Sequence, residues 1–414
     1  MKILILSDDF PPRAVGGAGV IAFNMAQGFS KRGYDVHVLS AVKNRMEEKQ
    51  DNYAGLKIYN IYSNYHERWR AYLSLYNPMT AKKVRDIIER INPDVVFAHN
   101  IHFHISYHSL KLAKASGAKV FLVAHDAMLV HYGKLSGFVK SKSDSIPIEI
   151  DYKINFWRQI KEFGRRYNPF RNLIIRYYLK YADKIFSVSE ALRRALEKNG
   201  LQNLKTIHNG VDVLEWDVNN RDIKDFKNTR QLNNKKVILF GGRLSEAKGG
   251  CEILSAMKKV LEKAPDAVLL VLGREDKYGN IMMDKSERLG IRDRIIFTGW
   301  ISGDELKAAY HSSDVVVVPS IYLDPFPTVN LEAMACAKPV VGTCFGGTPE
   351  IVEDNITGFI VNPLNIDVMA EKIAYLLLNP KQAEEFGKRG YNRVKQKFNF
   401  DKWIDEYLNN YRKI

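Results

Sequence analysis

The segment Gly241-Gly242-Arg243-Leu244-Ser245-Glu246-Ala247-Lys248-Gly249-Gly250 follows a short apolar run and sets two cations among four glycines. Arginine presents a planar fork of donors and lysine a point charge, so Arg243 and Lys248 on one loop suit a diphosphate; surface charges on a loop are the plainer alternative. No Walker pattern accompanies them. Further on, Pro319-Ser320-Ile321-Tyr322-Leu323-Asp324-Pro325-Phe326-Pro327-Thr328-Val329-Asn330-Leu331-Glu332 places two carboxylates eight residues apart. Pro327 opens a helix there, which leaves Asp324 on a loop and Glu332 about one turn inside. Carboxylates in such places accept hydroxyl hydrogen bonds from a sugar, and the free N–H groups near Thr328 and Val329 suit a phosphate. In the first half, Asp8 to Gly19 carries Gly16 and Gly17 at the start of a helix, where backbone N–H groups approach an anion. The spacing is wrong for a dinucleotide fingerprint, because two prolines intervene after the strand.

These residues need elements to hold them. Lys2 to Ser7, Asp35 to Ala41, Asp94 to Asn100, Lys119 to His125 and Lys184 to Ser189 read as strands, with helical patterns at Ala18 to Arg32 and Met79 to Ile91. The grammar restarts with Val237 to Phe240, Ala267 to Gly273, Arg294 to Gly299, Asp314 to Ser320 and Pro339 to Thr343. A polar stretch between them puts the boundary near Asn209 to Lys235. Near-continuous apolar strands alternating with helices predict an α/β chain with two parallel sheets covered on both faces. Ligands of such sheets lie beyond the carboxyl ends of the strands, where every motif above falls. The helical pattern Asp401 to Tyr411 is rich in aromatics that need a surface to cover.

In these motifs the chain resembles the large group 1, or family 4, retaining glycosyltransferases of GT-B fold. The resemblance spans nearly the whole length: Gly16-Gly17, His125-Asp126, His208-Asn209-Gly210-Val211-Asp212, Gly241 to Gly249, the Asp324 to Glu332 element and Gly346-Gly347-Thr348-Pro349-Glu350. It implies two Rossmann-like domains facing across a cleft. Residues 1–208 would form the acceptor domain and 209–396 the nucleotide-sugar domain, with 397–414 a helix returning to the first. By resemblance, Arg243, Lys248, Gly242, Thr328 and Val329 attend the donor phosphates. Glu332 takes the ribose, the backbone near Ile301 the base, and Gly16 and Gly17 approach the phosphates. His125, which alone would read as a structural histidine, contacts the donor sugar. The implied reaction moves a sugar from a UDP or GDP sugar to an acceptor hydroxyl with retention, without metal or other cofactor. Where the family usually has glutamate, this chain has Asp324, one methylene shorter, which alters the contact with the sugar or draws the loop closer.

Charge is uneven along the chain. Residues 1–205 hold 33 Lys+Arg against 18 Asp+Glu, which accounts for the whole formal net charge of +15. Candidates for the attraction are nucleic acid, an anionic membrane and a phosphorylated substrate. Residues 134–180 interleave 11 Lys+Arg with Phe156, Trp157, Phe163, Tyr167, Phe170, Tyr177 and Tyr178, against 4 Asp+Glu. That mixture fits peripheral contact with an anionic leaflet and a glycan or lipid-linked acceptor at the cytoplasmic face, or a solvated basic face over ordinary core. No apolar run approaches the roughly 20 residues of a membrane-spanning helix, and the run Ile3 to Leu6 is too short for a signal segment. Cys251, Cys336 and Cys344 lack metal spacing and read as buried thiols, and His99, His102, His104 and His108 as helix-face and loop histidines. Two competing readings are a nucleotide-sugar epimerase of the same plan and a basic nucleic-acid-binding protein; the latter lacks any recognisable reading motif.

Overall fold

The computed structural model describes residues 1–13, 16–137, 146, 150–274 and 276–413. Part of the 134–180 segment singled out above, at 138–145 and 147–149, therefore lies outside the described residues. The chain divides into two compact units, one of Met1–Leu135, Tyr152–Asn209 and Asp401–Ile414, the other built on Gly210–Phe400.

In the first unit eight strands form one sheet: β1 (Lys2–Ser7), β2 (Asp35–Val42), β3 (Gln50–Tyr53), β4 (Leu56–Tyr62), β5 (Val95–His99), β6 (Lys119–Ala124), β7 (Lys184–Ser187) and β8 (Leu204–Thr206). Their order is β3-β4-β2-β1-β5-β6-β7-β8, parallel throughout except for the β3–β4 pair. The strand order reverses between β1 and β5, the kind of point beyond which open α/β sheets bind ligands. Ile3 to Leu6 and Val95 to Ala98 are wholly buried, as a sheet covered on both faces requires. The helix Pro78–Ile91 shows how local sequence sets an element: Asn77 caps its start, Pro78 is its first residue, and Asn92 ends it in the left-handed region. The last helix, Phe400–Lys413, lays Tyr407 edge-on against Phe97 and Phe186 at 5.8 and 5.0 Å. Arg32 ties its first turns down through Asp401 and Asp405.

The second unit has six parallel strands: β9 (Lys236–Phe240), β10 (Ala267–Val271), β11 (Ile295–Phe297), β12 (Val315–Val318), β13 (Val340–Thr343) and β14 (Gly358–Val361). They run β11-β10-β9-β12-β13-β14, so the order reverses between β9 and β12. The loops that follow those two strands carry the Arg243–Lys248 and Asp324–Glu332 motifs. Among the described residues no helix is long and apolar enough to cross a membrane.

Candidate functional site

Backbone packing locks the two loops of the second unit together. After β9, Gly242 takes φ +107°, and a turn at Glu246–Lys248 leads to Gly249 at φ +79°. A Cβ at Gly249 would fall 2.0 Å from the carbonyl oxygen of Pro319, so only glycine allows this approach to the loop after β12. Ile321 donates its N–H to Ala247 O at 2.9 Å, a second tie between the same loops. A third loop joins at Gly346, φ +68°, where a Cβ would lie 2.1 Å from Asp324 O.

The side chains follow from this scaffold. Lys248 Nζ meets Asp324 Oδ2 at 2.6 Å, and the same oxygen accepts from Ser320 Oγ at 2.7 Å. Tyr322 OH donates to Asp324 Oδ1 at 2.9 Å. Asp324 is 3% exposed, so its carboxylate is spent largely within its own loop, and the reach expected of it toward a ligand becomes a grip on Lys248. Arg243 differs: it is exposed and makes no ion pair among the described residues. The helix Thr328–Ala335 starts beside them without a side-chain cap, and Val329 Cγ2 lies 3.8 Å from where a Gly242 Cβ would stand. One turn on, half-buried Glu332 accepts from Tyr310 OH at 2.5 Å. Burial raises its pKa, while the bonds from Tyr310 and Thr328 and the Lys248 charge work against that rise. Leu244 covers Gly273, which bridges to Gly299, and Ile301 follows on the same turn. The structure thus gathers Gly242, Lys248, Asp324, Val329 and Glu332, with Arg243 and Ile301 on adjoining loops.

The first unit carries its own constellation. Asp9 accepts the N–H of Gly16 at 3.2 Å and so shapes the turn before Gly17, the first residue of the helix Gly17–Lys31. Its neighbour Asp8 accepts three N–H groups, from Phe103, His104 and Ile105, at 2.7, 2.9 and 2.7 Å. Burial nonetheless pushes Asp8 up to about 7. His125 Nε2 sits 2.8 Å from His99 Nδ1 with the rings stacked, and burial lowers the pKa of His125 to about 4. His99 closes β5 and is wholly buried, as the strand reading of Asp94 to Asn100 placed it and not on a helix face or loop as the histidine cluster was read. Its Nε2 has no partner, so Nδ1–H donating to His125 is the cheaper tautomer: it leaves an acceptor unfilled in place of an orphaned N–H. Sequence reasoning missed Asp8, His99, Ser320, Tyr322 and Tyr310 as supports. Only the Asp8-Asp9 pair at a strand end offered a signal. Of the cysteines, Cys336 and Cys344 are buried and Cys251 is half-buried beneath the Tyr278 hydroxyl.

Residues 222–393 match the family model of glycosyl transferases group 1, and residues 15–214 match that of glycosyltransferase family 4. An uncharacterized glycosyltransferase of Methanocaldococcus jannaschii is 27% identical over 431 residues, covering 100% of this chain and 98% of the relative. The N-acetyl-alpha-D-glucosaminyl L-malate synthase of Bacillus anthracis is 23% identical across 98% of this chain and 96% of its own length. Among solved structures, Anabaena HepE in complex with UDP and glucose superposes with a TM-score of 0.74 at 19% identity over 100% of both chains. Sucrose-phosphate synthase of Thermosynechococcus elongatus gives 0.76 at 19% identity, covering 100% of this chain and 98% of its own. At such identities these two likenesses show the GT-B fold.

Proposed function

We propose a function from one premise: the chain belongs to the group 1 / family 4 glycosyltransferases. Both family models describe transferases, which sets aside the epimerase and nucleic-acid readings. The reaction is transfer of a sugar from a nucleoside-diphosphate sugar to an acceptor hydroxyl, with retention at the anomeric carbon. What carries the reading is the loop pair at the β9/β12 reversal, where an exposed Arg243, a fixed Lys248 and an uncapped helix start lie together.

Departure of the diphosphate builds negative charge, and Arg243, Lys248 and the N–H groups of Thr328 and Val329 are its proposed counter-charges. A preorganised donor of this kind is worth about 3 kcal/mol in other enzymes. Asp324 serves by holding the Lys248 ammonium in place; Glu332 takes the ribose hydroxyls, and the turn at Ile301 the base. In the first unit the Gly16-Gly17 turn and His125 are the proposed ligand contacts, and a pKa of about 4 keeps His125 neutral at pH 7 and able to contact a hydroxyl. UDP and glucose in the HepE complex support a UDP sugar as donor.

For the acceptor, Trp157, Phe170 and Leu173 are 74%, 67% and 67% exposed among basic neighbours, which supports a lipid-linked acceptor at an anionic cytoplasmic membrane face. The test is turnover of a panel of UDP and GDP sugars, with release of nucleoside diphosphate and the anomeric configuration of the product read by proton NMR. Retention from one donor class is expected. An inverted product overturns the mechanism, and no release from any nucleotide sugar overturns the reading.

A further inference from the structure

We propose that the first unit holds a phosphate-recognition site, made by Arg171 and Arg70 with the hydroxyls of Tyr107 and Tyr167, that takes a phosphate group on the acceptor; this rests on the transferase reading above. Arg171 is the largest fully buried side chain of the described residues, at 1% exposure. Its guanidinium donates to Met128 O and to Asn172 Oδ1, and its Nε has no partner among the described residues. No carboxylate bonds it among the described residues. It is also the first residue of the helix Arg171–Leu179, which has no acidic residue in its first turn and no side-chain cap. The positive end of the helix therefore adds to a buried cation instead of relieving it. An unpaired buried charge is costly, and a protein keeps one where a counter-charge arrives from outside.

The neighbours repeat the pattern. Tyr107 is wholly buried and Tyr167 nearly so, and neither hydroxyl has a partner among the described residues. A second guanidinium, Arg70, lies 4.3 Å from the centre of the Tyr132 ring, over which Arg171 also lies at 5.7 Å. Tyr132 in turn packs edge-on to Tyr167 at 5.9 Å. The carboxylates in reach are committed elsewhere: Asp8 to three backbone N–H groups, Asp126 to Met128 N and toward His102 Nε2. Burial holds His102 and His131 toward their neutral forms. Among the described residues two cations and three unused donors thus lie near one another, with no anion to meet them. A phosphate monoester, doubly charged and rich in acceptor lone pairs, matches that set more fully than one carboxylate. Tyr107 follows β5, and Tyr132, Tyr167 and Arg171 follow β6, at the carboxyl ends of strands beside the β1–β5 reversal, while Arg70 comes from the segment after β4.

The test measures thermal shift and calorimetric affinity of the full chain with inorganic phosphate, glycerol 3-phosphate, malate and UDP, and flotation with phosphatidate vesicles. Tyr107→Phe and Tyr167→Phe remove only a buried unpaired hydroxyl. Each is expected to keep or raise the Tm without ligand, yet weaken phosphate binding about tenfold. Arg171→Met should abolish it, with the UDP response unchanged in all three. Protection by glycerol 3-phosphate points to a small phosphorylated acceptor; vesicle binding alone, lost in the same variants, points to a lipid-linked one. The proposal is overturned if no phosphate probe binds, if malate alone binds, or if binding survives in the tyrosine variants. It is also overturned if Arg243→Ala, not Arg171→Met, removes the phosphate response. A chain that ignores UDP but obeys these variants refutes the donor reading and leaves the phosphate site standing.

Discussion

At Lys248 one ion pair does two tasks, orienting a cation and completing a buried carboxylate. Lys248→Ala strips Asp324 of its counter-charge in a site 5% exposed at that side chain, so we expect a loss of about 3 kcal/mol in urea unfolding as well as of nucleotide protection. Arg243→Ala should lose the protection alone, since that side chain is exposed. Histidines set the acid response. Burial lowers His102 and His125 to about 4, so between about 4 and 6.5 the unfolded chain binds protons that the folded one refuses. Their contribution to stability is full above that window and is lost as pH falls through it. Asp8 has the opposite sign: raised to about 7, it stays protonated in the folded chain where the unfolded chain has released its proton, and it loses stability as pH rises from about 4 to 7. Urea unfolding at pH 7 and 5 should show His102→Gln with a shallower acid loss than the parent and Asp8→Asn with a steeper one. The grouping of Arg243, Lys248 and Glu332 at the strand ends was legible in sequence because charged types beside glycine-rich and proline-opened turns stand out by themselves. The grip on Asp324 was not, because it needs the loop closed by Gly249 and Gly346, and Tyr310 lies 22 residues from Glu332.

Glycines and one returning helix decide the elements. Gly249→Ala forces a Cβ against Pro319 O in a left-handed backbone, and should lower stability by at least about 2 kcal/mol while weakening nucleotide binding through displaced Lys248. Tyr407→Ala removes a wholly buried ring from between Phe97 and Phe186, with an expected loss of about 3–5 kcal/mol, read as a fall in the urea midpoint. The aromatic stripe from Asp401 to Tyr411 announced its need for a surface. Strands flanking the reversals were also plain, because Ile3 to Leu6 or Val315 to Val318 read as continuous apolar runs. The edges were harder. β3 and β8 are short and carry polar residues, and β14 opens on Gly358 within a turn-rich segment; β4 lies inside the sheet, between β3 and β2, and mixes Lys57 and Asn60 into its run. Edge strands are half solvated, so their composition loses the signature that identifies central ones.

For the molecule as a whole, the uneven charge and the motifs at the strand ends support the proposed division of labour, with the acceptor assigned to the basic first unit and the donor to the evenly charged second. The basic face bearing Trp157 and Phe170 should bind anionic vesicles at low salt and release them as salt rises, and Trp157→Ala with Phe170→Ala should weaken flotation without changing the response to UDP. The donor assignment bears the most weight, and calorimetric titration of UDP into the parent, Arg243→Ala and Lys248→Ala chains tests it most directly. One molecule of UDP per parent chain, with affinity at least tenfold weaker in each variant (about 1.4 kcal/mol), is the expected result. Equal affinity in all three chains would contradict it.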